Sequence, residues 1–157
     1  MLRRMNSPAA AAYWARFARE TRLENGRYVV ASFGDRAALA DELLGLVLAG
    51  RKRATASLAL DYQRADSDPF PAVGDYVIWL DGSGCPRCIT RTTSVAVKPL
   101  VQVDASFAWD EGEGDRTRAW WLAAHRRYFA RQAGRHGFTM HDDIATVFER
   151  FELVWVA

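Results

Sequence analysis

Cysteine is almost absent: the 157 residues hold two, Cys85 and Cys88. That excludes a disulfide-stapled secreted scaffold, which needs several bridges in place of a core. The two form Cys85-Pro86-Arg87-Cys88, a spacing shared by redox motifs and half zinc sites. There is no second such pair, and none of the three histidines stands at ligand spacing from it. The motif follows Asp81-Gly82-Ser83-Gly84, which reads as a hairpin turn. A thioredoxin-type motif would open a helix instead. Reduced cysteines at a strand start are expected, with no metal site and no cofactor. Long apolar runs are missing too. The longest candidate, Leu39 to Ala49, is interrupted by Asp41 and Glu42, and a bilayer span needs ~18 apolar residues. Met1-Leu2-Arg3-Arg4-Met5-Asn6-Ser7 has no apolar stretch behind its arginines. Neither a signal peptide nor a membrane partner is expected, and the expected compartment is the cytoplasm. The net charge of +2 is too small to demand a nucleic-acid partner by bulk charge alone.

Lysine is scarce as well. Of the 21 basic residues only Lys52 and Lys98 are lysines. A GC-rich genome accounts for the bias, but each lysine kept against it merits inspection. Lysine can lose its proton on burial, and arginine cannot.

What is present fits a folded domain. Half the residues are hydrophobic and a quarter are charged, the balance of one globular unit. A single domain over 1–157 is expected, with 1–12 as a flexible N-terminal extension. Periodicity predicts helices over 9–24, 36–49 and 117–132, and strands over 28–33, 76–80, 88–97 and 147–156. Gly34-Asp35 is read as the cap of the second helix and Gly50 as its stop. Residues 51–55 read as extended or turn, 61–68 as a short helix or loop, 101–107 as a connector, 110–115 as an acidic loop and 134–143 as a loop. Non-local strands between helices predict an α+β domain, a small antiparallel barrel with helices against it.

Three constellations carry chemical potential. Gly50-Arg51-Lys52-Arg53-Ala54-Thr55 puts an amine and a hydroxyl three residues apart after a helix end. Such a lysine polarises a carbonyl, binds a phosphate or activates the hydroxyl; a basic helix end also simply favours the macrodipole. Asp110, Glu111, Glu113 and Asp115 lie within six residues, interleaved with Gly112 and Gly114. Clustered carboxylates suit acid–base work or a divalent cation. They also stabilise a following helix, with Asp115 a plausible N-cap. The glycines would let backbone approach a ligand. The third is the 117–132 helix, which carries Arg118, Arg126, Arg127 and Arg131 beside Trp120, Trp121, Tyr128 and Phe129, with no carboxylate between Arg116 and His141. Arginines beside aromatic faces suit phosphates and stacked bases. At helical spacing Trp121, Leu122, His125, Tyr128 and Phe129 equally form a core face, with His125 hydrogen-bonded inside it. His136 and His141 are read as loop residues without partners.

Together these motifs resemble the ASCH domain family, which is structurally akin to PUA RNA-binding domains. The resemblance rests on Gly50-x-Lys52-x-x-Thr55 after Leu46-Val47-Leu48-Ala49, on Val73-Gly74-Asp75 before a strand, on Phe107-Ala108-x-x-Glu111-Gly112-Glu113-Gly114-Asp115, and on the closing strand from Phe148 to Val154. It spans Tyr13 to Trp155 and is nearest to a longer bacterial branch. It implies a PUA-like open antiparallel β-barrel flanked by helices, with RNA or a modified nucleoside as partner. One short bacterial branch hydrolyses the amide of acetylcytidine with a lysine, a threonine and a glutamate. Lys52 and Thr55 match directly, and alignment on Ala108 places the glutamate at Glu111, with Glu113 as the fallback. Another branch is described as a ribonuclease; only its lysine has a counterpart here. Binding residues expected from the basic and aromatic pattern are Arg51, Arg53, Arg118, Trp120, Trp121, His125, Arg126 and Arg127. The alternative function is a non-catalytic RNA-binding module, which would show a continuous basic surface with exposed aromatics.

Overall fold

The computed structural model describes residues 2–4, 7–63, 67 and 69–157, with side chains from residue 7 onward. Among the described residues six strands form one sheet: β1 (Leu2–Arg4), β2 (Tyr28–Ser32), β3 (Ala54–Leu58), β4 (Tyr76–Leu80), β5 (Pro86–Pro99) and β6 (Ala145–Trp155). Their spatial order is β1-β2-β4-β5-β6-β3. The β2–β4 pair is parallel and the others are antiparallel. A parallel pair needs a crossover, and the long segment between β2 and β4 supplies it. The longest ladder, β5 on β6, shifts register between Ile89 and Thr90 and again between Thr92 and Ser94. Extra residues of this kind bend a strand and increase its twist. The sheet curls into a half-barrel with the four α-helices of the described residues against it, the α+β architecture expected.

Helix α1 (Pro8–Thr21) starts where Ser7 accepts the Ala10 N–H, with Pro8 in the first turn. Residues 8–12, read as part of a flexible extension, lie in this helix, and Ala10 is fully buried; residues 1, 5 and 6 of that extension lie outside the described residues. The helix stops at Arg22, which takes a left-handed φ of 56°, rather than at Asn25-Gly26. Its Trp14 and Phe17 pack with Tyr28 and Tyr76 on the outer sheet face. Helix α2 (Ala37–Leu48) buries Leu43, Leu44 and Val47 against Ala31, Val77 and Trp79. It has no side-chain cap. Asp35, read from sequence as part of its cap, is instead occupied by Arg131 and Arg135. The predicted turn joins β4 to β5, with the Asp81 carboxylate accepting the Ser83 and Cys85 N–H groups. Among the described residues both cysteines are free thiols, Cys85 exposed and Cys88 buried.

Residues 101–107 were expected to be a connector, but helix α3 (Ala105–Glu111) begins within them. Asp104 caps it by accepting the Phe107 N–H at 2.7 Å, and Gly112 ends it. Seven residues are too few to show a helical period, so the cap is the only local signal. Helix α4 (Arg118–His136) runs four residues past its predicted end, to the left-handed cap Gly137. Gly134 and His136, read as loop, are therefore helical. The cap of α4 is the Thr117 hydroxyl, which accepts the Trp120 N–H. Asp115 serves one step earlier, accepting the N–H and hydroxyl of Thr117. A 3-10 turn, Ala59–Tyr62, occupies the start of the segment read as short helix or loop; 64–66 and 68 lie outside the described residues. Between α3, α4, β3 and β6 lies a core of Phe107, Trp121, Leu122, Phe129 and Phe148. Among the described residues no helix is long and apolar enough to cross a membrane.

Candidate active site

The end of α2 fixes the lysine. Gly50 takes a φ of +74°, and the N–H groups of Arg51 and Lys52 both reach the Leu46 carbonyl, at 2.9 and 3.0 Å. One residue on, the Arg53 N–H binds the Asp110 carbonyl and the Arg53 carbonyl accepts the Phe151 N–H. Lys52 is therefore held by backbone bonds on both sides. Its side chain turns inward and the residue is 2% exposed. The ammonium lies 2.7 Å from Glu113 Oε1, 3.1 Å from Glu111 Oε2 and 3.5 Å from the Glu111 carbonyl. Three acceptors meet its three N–H bonds. Nζ also stands 5.4 Å over the Phe33 ring.

The two glutamates reach the lysine because α3 ends at Glu111 and the chain turns sharply after it. Arg51 holds that turn: its Nε donates to the Gly112 carbonyl and its Nη2 to the Gly114 carbonyl, at 2.6 and 2.8 Å. A Cβ at Gly112 would run into the Arg51 carbonyl, and one at Gly114 into the Trp120 ring. Both glycines also have positive φ. They admit close packing of Arg51 and Trp120 rather than close approach of a ligand.

Burial alone would lower the Lys52 pKa, but the charges of Glu111 and Glu113 outweigh it and hold the amine above its ordinary value. Lys52 is a fixed ammonium, not a free base. The two carboxylates separate. Burial would raise Glu111, but Lys52 and His125 overcome this and pull its pKa below the usual range. Glu113 is pushed up by burial and by the charge of Glu111, which together exceed the pull of Lys52. Two like groups around one cation thus have unequal proton affinities, the pattern by which environments assign acid–base roles.

His125 stacks on Trp121 at 3.7 Å between ring centroids. Its Nδ1 lies 2.9 Å from the Trp121 carbonyl. A carbonyl only accepts, so Nδ1 carries the hydrogen. Nε2 then faces Glu111 Oε1 at 3.7 Å, beyond hydrogen-bond distance, and that oxygen has no hydrogen-bond partner among the described residues. His125 is both the core histidine expected from its spacing and a wall of the site.

A cavity of about 360 Å³ opens onto this cluster. It brings together Lys52, Thr55, Glu111, Glu113, Trp120, His125 and Arg127 of the residues expected from sequence. Thr55, on β3, is 7% exposed. Other expected residues lie elsewhere. Arg51 is bound to the glycine carbonyls. Arg53 pairs with Asp110, Arg118 donates to the Val101 and Val103 carbonyls, and Arg126 pairs with Asp142. Trp121 is buried in the core. Sequence reasoning missed Phe33 and Arg36, which also line the cavity; Arg36 follows the Gly34-Asp35 turn, the one local sign that it stands at a helix start. Among the described residues no group of three or more His, Cys, Asp or Glu is placed to hold a metal. Where Glu111 and Glu113 converge, the Lys52 ammonium already lies within 3.1 Å of both.

Comparison with known proteins places this geometry in a family. A crystal structure of an Enterococcus faecalis V583 protein superposes with a TM-score of 0.83 at 32% identity, over 92% of this chain and 86% of that one. The ASCH domain of Lactobacillus crispatus JV V101 gives a TM-score of 0.77 at 32% identity, over 92% and 91% of the two chains. No curated protein matches the sequence. The family model for the ASCH domain matches residues 29–155, from β2 to the end of β6 and across every residue of the lysine–glutamate cluster. The chain belongs to the ASCH domain family, whose PUA-like fold is often linked to RNA binding.

Proposed function

We propose that the cavity is the active site of a small hydrolase acting on an acylated nucleobase, with Lys52, Glu113, Glu111 and Thr55 as its working groups. One observation carries this reading: a buried ammonium shared by two carboxylates of unequal proton affinity at the floor of a cavity. At about 360 Å³ the cavity is of small-molecule size. The match of Gly50-x-Lys52-x-x-Thr55 to the amidohydrolase pattern supports it.

In this reading Glu113, as carboxylate, takes a proton from water. The hydroxide oxygen bonds to the acyl carbon, and the carbonyl electron pair moves onto oxygen beside the Lys52 ammonium, which stabilises the oxyanion. Collapse breaks the C–N bond, and the departing amine receives the proton held by Glu113. The products are a carboxylic acid and the free nucleobase amine. Glu111 stays ionised and keeps Lys52 charged and in place. The charge on Lys52 argues against its acting as the base for Thr55, whose hydroxyl is better used to hold the substrate. The proton carrier is thus assigned to Glu113, the second choice from sequence, rather than to Glu111.

The test is single-turnover hydrolysis of acetylcytidine and related acylated nucleosides. Glu113→Gln should cut the rate ~100-fold or more, the usual size of an acid–base contribution. Lys52→Arg should abolish turnover, because the guanidinium neither fits the space nor offers the same point charge. Wild-type protein that hydrolyses no acylated nucleoside would overturn the reading. The binding-module alternative is less supported, because Arg51, Arg53, Arg118 and Arg126, though exposed, are each already held by a carbonyl or carboxylate of the fold.

A further inference from the structure

Charge is divided along the depth of the cavity. Its floor holds one ammonium against two carboxylates, Lys52 with Glu111 and Glu113. Its exposed lining holds three guanidiniums, Arg36 from the start of α2 and Arg127 and Arg131 from α4. A floor with excess carboxylate repels an anion, while a rim of arginines attracts one. The ligand that fits has a neutral polar head and an anionic tail.

The rim arginines differ from the others around them. Arg51, Arg53, Arg116, Arg118, Arg126 and Arg150 each hold a carbonyl or carboxylate of the fold. The guanidiniums of Arg36 and Arg127 have no ion pair or hydrogen bond among the described residues. Arg131 lies over the Tyr128 ring and shares Asp35 with Arg135, so Arg135 can retain that carboxylate if Arg131 turns away. Arg127 and Arg131 are one helical turn apart and share a face of α4. Planar guanidiniums with free N–H groups suit a phosphate. Glu42 also lines the cavity, and its carboxylate opposes an anion there.

We propose that these arginines form a phosphate subsite and that the ligand is a nucleoside monophosphate, its base on the Lys52 floor and its phosphate monoester at the rim. This rests on the nucleobase reading above and narrows its substrate class. The cavity volume supports a mononucleotide over a chain.

The test is calorimetric binding of cytidine, cytidine 5′-monophosphate and the dinucleotide CpC to the full chain, without turnover. The monophosphate should bind about tenfold more tightly than cytidine, as for added charge-assisted bonds to phosphate, and the gap should narrow with salt. Arg36→Ala with Arg127→Ala should close the gap, weakening the monophosphate far more than cytidine. Glu42→Gln should widen it. Equal binding of cytidine and its monophosphate, a gap that survives the double substitution, or no binding of either would overturn the proposal. CpC, whose only phosphate is a diester, should not bind as tightly as the monophosphate; if it does, the rim reads an RNA backbone and the mononucleotide assignment falls. Hydrolysis separates the two readings. Equal kcat/KM for acetylcytidine and its 5′-phosphate would sink the phosphate subsite and leave the hydrolase. A monophosphate preference in a protein that hydrolyses neither would sink the hydrolase and leave the subsite.

Discussion

A lysine that is 2% exposed keeps its charge here only because two carboxylates surround it. Removing the cation while leaving the anions should be expensive. Lys52→Met would leave Glu111 and Glu113 buried against each other, and loss of one partner of a buried ion pair costs about 3–5 kcal/mol. Urea denaturation at pH 7 checks this; a loss under 1 kcal/mol would mean that water reaches the carboxylates. Activity should carry the mark of Glu113. Its pKa is raised by burial and by Glu111, and its carboxylate form is the base. Activity should therefore fall as pH drops through a value above the ordinary 4.5 of a glutamate, and no such limb should remain in whatever activity Glu113→Gln retains. A kcat/KM profile that stays flat down to pH 4.5 would remove Glu113 from the role.

At the scale of elements, the acidic turn depends on two glycines and one arginine. Gly114→Ala would drive a methyl into Trp120 at a left-handed φ of +54°, and backbone strain of this sort costs roughly 1–3 kcal/mol before the clash is counted. Thermal melting should show the loss, and the displaced Glu113 should lower kcat more than it raises KM. Arg51→Lys cannot hold both carbonyls with one ammonium and should reproduce the kinetic effect with a smaller change in melting. Much of this frame was legible. The stripes of α2 and α4, the Asp81 hairpin and the alternation of β5 and β6 are local patterns, and the Lys52–Thr55 and Glu111–Glu113 motifs stood out for their composition. The partners of the arginines were not legible. Arg53 and Arg150 meet at Asp110 from distant parts of the chain, and Arg126 finds Asp142 across a turn. No local pattern says that a guanidinium is already occupied. The same limit hid which glutamate holds the looser proton, since that depends on how burial, Lys52 and then His125 bear on each carboxylate.

For the whole molecule, buried acids and the buried amine act together at high pH. Burial pushes the Cys88 thiol from 9.0 to about 12. Burial, aided by the charges of Asp35 and Asp61, pushes Tyr128 from 10.0 to about 12. Lys52 is raised from 10.5. Each holds its proton more tightly folded than unfolded, so its contribution is full below the unfolded pKa and drains away as pH rises toward the folded one. Stability should decline from about pH 9 to about pH 12. Cys88→Ala should flatten the first part, between 9.0 and 10.0, before tyrosine joins. Denaturation midpoints at half-unit pH steps would show it; an unchanged slope in the variant would assign the early loss elsewhere.

The position of β3 has a consequence for how the protein is made. Thr55 lies on a strand whose hydrogen-bonded neighbour is β6, in the register Thr55↔Glu149, and the backbone next to Lys52 is pinned by Phe151. The lysine and threonine leave the ribosome long before the strand that holds them. A nascent chain stalled while β6 is still in the exit tunnel has every proposed catalytic side chain outside and no site. Activity should appear only when β6 emerges, as one step rather than gradually with length.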